Sequence, residues 1–262
     1  MTHDWTRFPE LNDVLAGFVR DASAILGDQM IGAYLQGSFA LGAGDEHSDG
    51  DFLIVLHGEP SPEQLGRLVL LHDALPQREG HWTRHLEGSY PVAHELRSPS
   101  SSGKEWWYVD HGSRAVQRST HCNQTYVRWI LRERGVTLAG PPPTELIDPL
   151  PPETMRAEMR QLIPSIVPDV LSWATLDIAW VQRYLVATTC RMLYTLKTAE
   201  VASKQQALEW AISEFDPEWE LLLRHVIADR ARGFVPDERP RPGAVERSLA
   251  FVQHAQRVAA HW

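Results

Sequence analysis

Residues 37–56 read GSFALGAGDEHSDGDFLIVL, and this stretch decides the fold. A Gly-Ser pair opens it, and Asp49 and Asp51 lead into an unbroken apolar run. A continuous run of this kind is typical of a strand that is buried on both faces. Because residues i and i+2 of a strand point to the same face, we expect the two carboxylates to project together where this strand begins.

The carboxylate pair indicates a metal site that handles phosphates. Adjacent carboxylates repel one another, and Mg²⁺ is usually held by one or two carboxylates together with substrate phosphates. Gly37 lets a phosphate approach the backbone, and the Ser38 hydroxyl can donate a hydrogen bond to it. The alternative interpretation is a solvated loop that ends in two acids. The ordered combination of strand, Gly-Ser, spacer, acids and buried strand favours the metal site.

The flanking segments predict the elements around this stretch. Apolar residues recur every three to four positions between 11 and 26, which predicts an amphipathic helix, and residues 31–36 predict a short strand. Ser61 is followed three residues later by Gln64, the pattern of a capping box at the start of a helix.

The rest of the chain suggests a change of architecture. Residues 83–96 are interpreted as a further strand region, and the pattern turns helical from residue 105. The proline-rich segment 134–153 is interpreted as an extended connection. We therefore predict an α/β domain over residues 1–150 and an all-α helical-bundle domain over residues 151–262.

The bulk composition narrows the class of partner. The chain of 262 residues carries a net charge of −9, which argues against a nucleic-acid partner. Cys122 and Cys190 show no metal-binding or disulfide spacing, so a reducing cytoplasm is expected. No signal-peptide pattern and no run of roughly 20 apolar residues is present, so no membrane partner is expected. We expect a monomer.

The motif of the opening stretch resembles the signature of the nucleotidyltransferase superfamily, whose fold is the polymerase β-like minimal palm. The matching residues are Gly37, Ser38, Gly42, Ser48, Asp49 and Asp51. The resemblance implies a mixed sheet flanked by helices, with both aspartates binding Mg²⁺ that coordinates the triphosphate of ATP. Gly50 departs from the family pattern, which usually has an aliphatic residue between the two acids.

Within that superfamily the chain is similar to aminoglycoside adenylyltransferases of the streptomycin/spectinomycin type. Glu87, in the segment LEGSY, resembles the catalytic glutamate of that family and is expected to act as base and as a further metal ligand. Glu95 is the rival candidate, with an exposed charge at a strand end as its alternative interpretation.

The resemblance extends to residues 190–212. It implies that Arg191 and Lys204 contact the nucleotide phosphates and that the active site lies in an interdomain cleft. Ser203, with Gln206 three residues later, predicts a helix start at Lys204, where free N–H groups favour an anion. A surface salt bridge is the alternative for both basic residues.

The resemblance at acceptor-contacting positions is partial. Trp173 and Asp177 match positions that contact the aminoglycoside in the family, and at this spacing they share a helix face if the segment is helical. Val181 stands where the family has another aspartate, so one carboxylate for a cationic drug is missing. Trp106 and Trp107 lie near the position at which the family has another tryptophan that packs against the drug. The alternative is that they belong to the core.

The leading hypothesis is Mg²⁺-dependent transfer of AMP from ATP to a hydroxyl of a small molecule, with an aminoglycoside-type antibiotic as the preferred acceptor. A second hypothesis keeps the chemistry but has a metabolite or a protein as acceptor. A third is a nucleotide-binding regulatory or antitoxin-like protein without turnover. The complete set of Asp49, Asp51 and Glu87 argues against the third, since a pure binder needs no base.

Overall fold

The protein, described by a computed structural model over residues 4–110 and 114–262, divides into two units, Met1–Leu150 and Pro151–Trp262. The described strands of the first unit form one sheet in the order β5-β4-β3-β2-β1-β6. Their bounds are β1 Met30–Leu35, β2 Gly50–Leu56, β3 Leu86–Tyr90, β4 Trp106–Val109, β5 Val116–Ser119 and β6 Val136–Ala139. Strands β2 and β3 run parallel and every other neighbouring pair is antiparallel, so the predicted mixed sheet is confirmed.

Helices flank this sheet in the first unit. They are α1 Pro9–Leu26, α2 Gly37–Ala40, α3 Pro62–Ala74, α4 Ala93–Arg97, α5 Thr125–Arg134 and α6 Pro143–Leu146. The predicted amphipathic helix is α1, whose apolar face is buried in the core. The capping box of α3 is confirmed, because Ser61 Oγ accepts from the Gln64 N–H at 3.2 Å and Gln64 Oε1 accepts from the Ser61 N–H at 2.9 Å.

The apolar run of the opening stretch forms β2 in the middle of the sheet. Phe52 and Ile54 lie in one hydrophobic cluster, and Leu53 and Val55 lie in another. The expectation of a strand buried on both faces is therefore confirmed.

One strand prediction and one helix prediction were wrong in part. The strand expected over 83–96 covers only β3, because Pro91 cannot donate a ladder hydrogen bond and α4 begins at Ala93. The helical pattern expected from residue 105 is instead β4 and β5 before α5 begins at Thr125. Aromatic and β-branched residues in the run WWYV favour a strand, and its two-residue alternation buries Trp106 and Tyr108 together.

The proline-rich segment 134–153 is not an extended connection over most of its length. Strand β6 pairs with β1, and Ile147 is fully buried in the same cluster as Tyr34. The Tyr34 hydroxyl also donates to the Pro141 carbonyl at 2.7 Å. This segment is therefore part of the first unit's core.

The second unit is helical, as predicted. Its helices are α7 Pro152–Leu162, α8 Ile166–Trp173, α9 Ala179–Thr198, α10 Lys204–Glu214, α11 Glu220–Asp229 and α12 Ala244–Ala259. The other five pack against α9, whose apolar positions are buried. None of the helices in the described residues is long and apolar enough to cross a membrane.

Candidate functional site

Gly37 and Asp51 are in close contact where β1 ends and β2 begins. The Gln36 N–H donates to the Asp51 carbonyl at 2.8 Å, which holds the two segments together. Gly37 has φ +63°, and a Cβ built on it would lie 2.6 Å from Asp51 Cγ and closer still to Oδ2. A residue with a side chain would be strained here and would collide with this carboxylate. The Gly-Ser turn and the aspartate therefore form one local unit.

Asp51 and Glu87 are direct register partners in the parallel β2–β3 pair. Both are half-buried, whereas the next residues along each strand, Phe52 and Gly88, are buried. Paired residues of neighbouring strands present their side chains to the same face of a sheet. The sheet therefore brings together the second acid of the opening stretch and the predicted third carboxylate.

Asp49 lies just before β2, next to a histidine. His85 Nδ1 is 3.5 Å from Asp49 Oδ1, and the Gly50 N–H donates to the His85 carbonyl at 2.7 Å. Ser48 is buried and its hydroxyl donates to Asp45 Oδ1 at 3.0 Å. This hydrogen bond stabilises the loop that precedes β2. The loop that carries Asp49 is thus held by its own polar contacts.

Two residues that the sequence did not single out contact Glu87. The Tyr108 hydroxyl donates to Glu87 Oε1 at 2.7 Å, and His121 Nε2 lies 3.1 Å from the same oxygen. The side chain of Glu87 is 12% exposed, so these contacts lie at the edge of the interior. Neither partner belongs to a recognisable motif, and Tyr108 would have emerged only if β4 had been predicted.

The charges around Glu87 act on both partners. The hydrogen bond to Glu87 raises the pKa of His121, although burial opposes it, and the charges of Glu87 and Asp51 raise this pKa further. Burial is the main cause that raises the pKa of the Tyr108 hydroxyl, and the Glu87 carboxylate raises this pKa further. Both carboxylates therefore lie within electrostatic reach of one imidazole.

The carboxylates offer the kind of donor that Mg²⁺ prefers, since hard divalent cations take oxygen ligands. Among the described residues, no group of three or more His, Cys, Asp or Glu side chains is arranged to hold a metal ion by itself. Mg²⁺ usually takes one or two carboxylates and completes its shell with waters and substrate phosphates. The metal-binding role of Asp49, Asp51 and Glu87 stays a prediction, and their carboxylate oxygens are donors of the kind that it requires.

The rival carboxylate, Glu95, is partly buried and hydrogen-bonded to neighbouring side chains. It lies in α4 and not at a strand end, and its side chain is 18% exposed. It accepts hydrogen bonds from Trp106 Nε1 at 2.9 Å and from Lys104 Nζ at 3.2 Å. Burial raises the pKa of Glu95, but these hydrogen bonds outweigh it and hold the pKa below its usual range.

The two neighbouring tryptophans differ in their surroundings. Trp106 is 1% exposed and lies in the core, where the Arg128 guanidinium packs over its ring. Trp107 points to the other face of β4, where its Nε1 donates to Glu59 and Arg118 lies over its ring at 4.3 Å. The prediction that Trp106 contacts an acceptor is not supported by its burial.

In the second unit, Arg191 and Lys204 lie at neighbouring helix segments. Arg191 on α9 donates from Nε to the Ala202 carbonyl at 3.1 Å, just before α10 begins. Lys204 is the first residue of α10, and the predicted capping box is formed by Ser203 and Gln206. Lys204 therefore belongs to a first helical turn whose N–H groups favour anions, and its ammonium lies 5.5 Å from the centroid of the Tyr184 ring.

The predicted acceptor residues do not share a helix face. Helix α8 ends at Trp173, and Ala174 is extended, so Asp177 lies in the connection before α9. Trp173 is 51% exposed and packs against Trp180 and Tyr184, with ring centroids 6.1 and 5.4 Å apart. Even with these two aromatic neighbours, about half of the surface of Trp173 is exposed.

Val181 is fully buried in the core of the second unit. An acid at this position would have to bury its charge among apolar side chains. The buried Val181 supplies no carboxylate, and the expectation that an acid for a cationic drug is missing here stays a prediction.

Comparisons with known proteins agree with this architecture. Residues 147–252 match the family model described as the aminoglycoside adenylyltransferase C-terminal domain. The fold is similar to the crystal structure of a spectinomycin adenyltransferase from Enterococcus faecialis with ATP and spectinomycin, with a TM-score of 0.67. The match covers 93% of this chain and 98% of that chain at 13% identity, which shows a shared fold. A search of curated proteins finds no match.

The family match covers the helical unit, and the fold match covers both units. Together they agree with an α/β unit that is followed by a helical unit. The resemblance inferred from the sequence is therefore confirmed: residues 147–252 match the model of the aminoglycoside adenylyltransferase C-terminal domain, and the fold over both units is similar to that of a spectinomycin adenyltransferase.

Proposed function

We propose that this enzyme transfers AMP from ATP to a hydroxyl of a small cationic molecule of the aminoglycoside type. The observation that carries the proposal is the pairing of Asp51 with Glu87 on adjacent parallel strands, beside the Gly37 turn. In this proposal the pair provides neighbouring oxygen ligands and a base near the start of β2 and β3. Mg²⁺ is part of the proposal.

Asp49 and Asp51 are the proposed ligands of Mg²⁺. When bound, the metal would orient the triphosphate and neutralise charge at the α-phosphate. Gly37 keeps the backbone open beside Asp51, and the Ser38 hydroxyl would donate to a phosphate oxygen.

Glu87 is the proposed general base. It accepts the proton of the acceptor hydroxyl as that oxygen forms a bond to the α-phosphorus. The bond between the α-phosphorus and its bridging oxygen to the β-phosphate breaks, and pyrophosphate leaves. Arg191 and Lys204 are proposed to bind the β- and γ-phosphates, so their positive charges stabilise the leaving pyrophosphate.

The aromatic surface around Trp173 supports a cationic ring-shaped acceptor. Trp173 is 51% exposed, an accessible indole attracts cations, and the exposed Asp177 carboxylate follows it in the chain. A net charge of −9 also favours a cationic acceptor over an anionic one. Val181 is buried and supplies no carboxylate, so Asp177 is the acid of this proposed acceptor site.

The conditions of action are part of the same proposal. Both cysteines are free and buried, which agrees with a reducing cytoplasm. We propose that the protein acts there as a monomer.

The test is pyrophosphate release from ATP with Mg²⁺ and a panel of aminoglycosides, including spectinomycin and streptomycin. Asp51→Asn and Glu87→Gln should each abolish most of the release. Asp13→Asn removes an exposed carboxylate on α1 and should not change it. Release with other hydroxyl compounds but with no aminoglycoside would favour a different acceptor. Thermal stabilisation by ATP without any release would favour the regulatory binder.

A further inference from the structure

We propose that Tyr108 and His121 are positioning residues that hold the carboxylate of Glu87 in the orientation needed to accept the acceptor proton. This inference rests on the proposed function, in which Glu87 is the general base. No motif of the sequence marks either residue.

Both partners contact the same atom. Tyr108 Oη donates to Glu87 Oε1 at 2.7 Å, and His121 Nε2 lies 3.1 Å from that oxygen. A carboxylate oxygen can accept two hydrogen bonds, and two donors in different directions restrict rotation of the carboxylate plane. Together they restrict the terminal torsion of Glu87, which is broad in an unrestrained side chain.

The two donors are anchored in different ways. Tyr108 is 4% exposed, and its position on β4 is fixed by pairing with Ser89, two residues after Glu87 on β3. A buried ring on a paired strand has little freedom to move, so its hydroxyl is a rigid donor. Tyr108 therefore determines where Oε1 lies.

His121 approaches from the turn between β5 and α5. Its backbone N–H donates to Ser119 Oγ at 3.1 Å, and its ring packs on Tyr108 with centroids 5.1 Å apart. Its neighbour Cys122 is buried, which anchors the turn. The imidazole is therefore held against both Tyr108 and Glu87.

A general base must lie within hydrogen-bond reach of the proton that it takes, about 2.6–3.2 Å between heavy atoms. Glu87 stands opposite Asp51, and two neighbouring carboxylates repel one another. Without donors on Oε1, this repulsion would turn the Glu87 carboxylate away from its productive orientation. The donors from Tyr108 and His121 oppose that movement.

The first test compares two tyrosine variants. Tyr108→Phe removes only the hydroxyl and should lower kcat by about 10- to 100-fold, because small misplacements of a reacting group are costly. The KM for ATP and ATP affinity by calorimetry should stay within about twofold, since no phosphate contact changes. Tyr34→Phe is the matched control, because its buried hydroxyl donates instead to the Pro141 carbonyl at 2.7 Å. It should lose comparable stability and keep kcat.

The second test uses rescue at the histidine. His121→Ala should lower kcat by about tenfold, and His121→Gln should restore most of it, because the glutamine amide can donate to Glu87. Equal loss in both variants would overturn the role of His121. Unchanged kcat in Tyr108→Phe would overturn the role of Tyr108.

The third test separates this inference from the proposed function. If Glu87→Gln keeps wild-type kcat, the general-base role fails and the proposed function with it. If Glu87→Gln loses activity, the decisive comparison is Tyr108→Phe made in that background. Residues that act through one another are not additive, so no further loss of kcat is expected. A full additional loss would mean that Tyr108 acts independently of Glu87, which would overturn the inference.

Discussion

Replacing Gly37 by alanine should separate the proposed catalytic role of the Gly-Ser turn from its role in stability. Gly37 has φ +63°, and a Cβ there would lie 2.6 Å from Asp51 Cγ, where ordinary contact begins at 3.4 Å. The Asp51 carboxylate would have to move by about an ångström, a misplacement that costs roughly 100-fold in rate when it affects a reacting geometry. We therefore expect kcat to fall by about two orders of magnitude.

The matched control is Gly42→Ala. Gly42 has φ +70°, so alanine is strained there too, but nothing lies within 4 Å of a Cβ at that position. The left-handed conformation costs roughly 1–2 kcal/mol of unfolding free energy in each variant. Only Gly37→Ala adds a collision with Asp51, so only that variant should lose activity.

The assay is pyrophosphate release under saturating Mg²⁺-ATP, together with urea unfolding of both variants. Comparable losses of stability with activity lost only in Gly37→Ala would support the reasoning. Equal activity in the two variants would refute it, since the contact between Gly37 and Asp51 would then have no part in catalysis.

Three further predictions address stability, ATP binding and the acceptor. Burial lowers the pKa of His72 to about 3 from an ordinary value of 6.5. The unfolded state therefore takes up the proton first, and stability falls as the pH drops below about 6.5, by about 2 kcal/mol between pH 7.5 and 5. Urea unfolding of His72→Gln should show a smaller loss of stability between pH 7.5 and 5 than the wild type shows. An identical loss in the two proteins would contradict the assignment to His72. Ser203→Ala should lower the free energy of unfolding by about 1 kcal/mol, because it removes a helix cap. It should also weaken ATP binding, because Lys204 begins the helix that Ser203 caps. Ser61→Ala, which removes the other capping box, should cost a similar amount with ATP affinity unchanged in calorimetry. Trp173→Ala should raise the acceptor KM by about tenfold and leave the KM for ATP unchanged, because it removes an exposed indole face.

The local signals in the sequence predicted the parts of the site that are local in the fold. The order of strand, Gly-Ser turn, acids and buried strand lies within 20 consecutive residues, 37–56. Capping boxes at Ser61 and Ser203 are equally local, since each is formed by residues three apart. Such features depend on backbone geometry that a short stretch determines.

The contacts of Glu87 could not be predicted in the same way. Tyr108 lies 21 residues further along the chain and reaches Glu87 only through the pairing of β3 with β4. That pairing depends on register, and register depends on the whole sheet. The helical interpretation from residue 105 therefore concealed both β4 and the partners of the carboxylate.

The predicted acceptor residues show the limit of spacing arguments on helices. Trp173 and Asp177 have the spacing of one helix face, but α8 ends at Trp173. Val181 lies four residues beyond Asp177, yet it is fully buried in the helical core. Helix ends and buried faces depend on tertiary packing, which the spacing alone does not report.

Mass spectrometry of the product tests the central claim most directly. The enzyme is incubated with ATP, Mg²⁺ and one aminoglycoside at a time, and the acceptor mass is compared before and after the reaction. The account predicts an acceptor that has gained one AMP, with one pyrophosphate released per acceptor modified, and no such product with Asp51→Asn or Glu87→Gln. An unmodified acceptor across the whole panel, or the same product from Asp51→Asn, would contradict it.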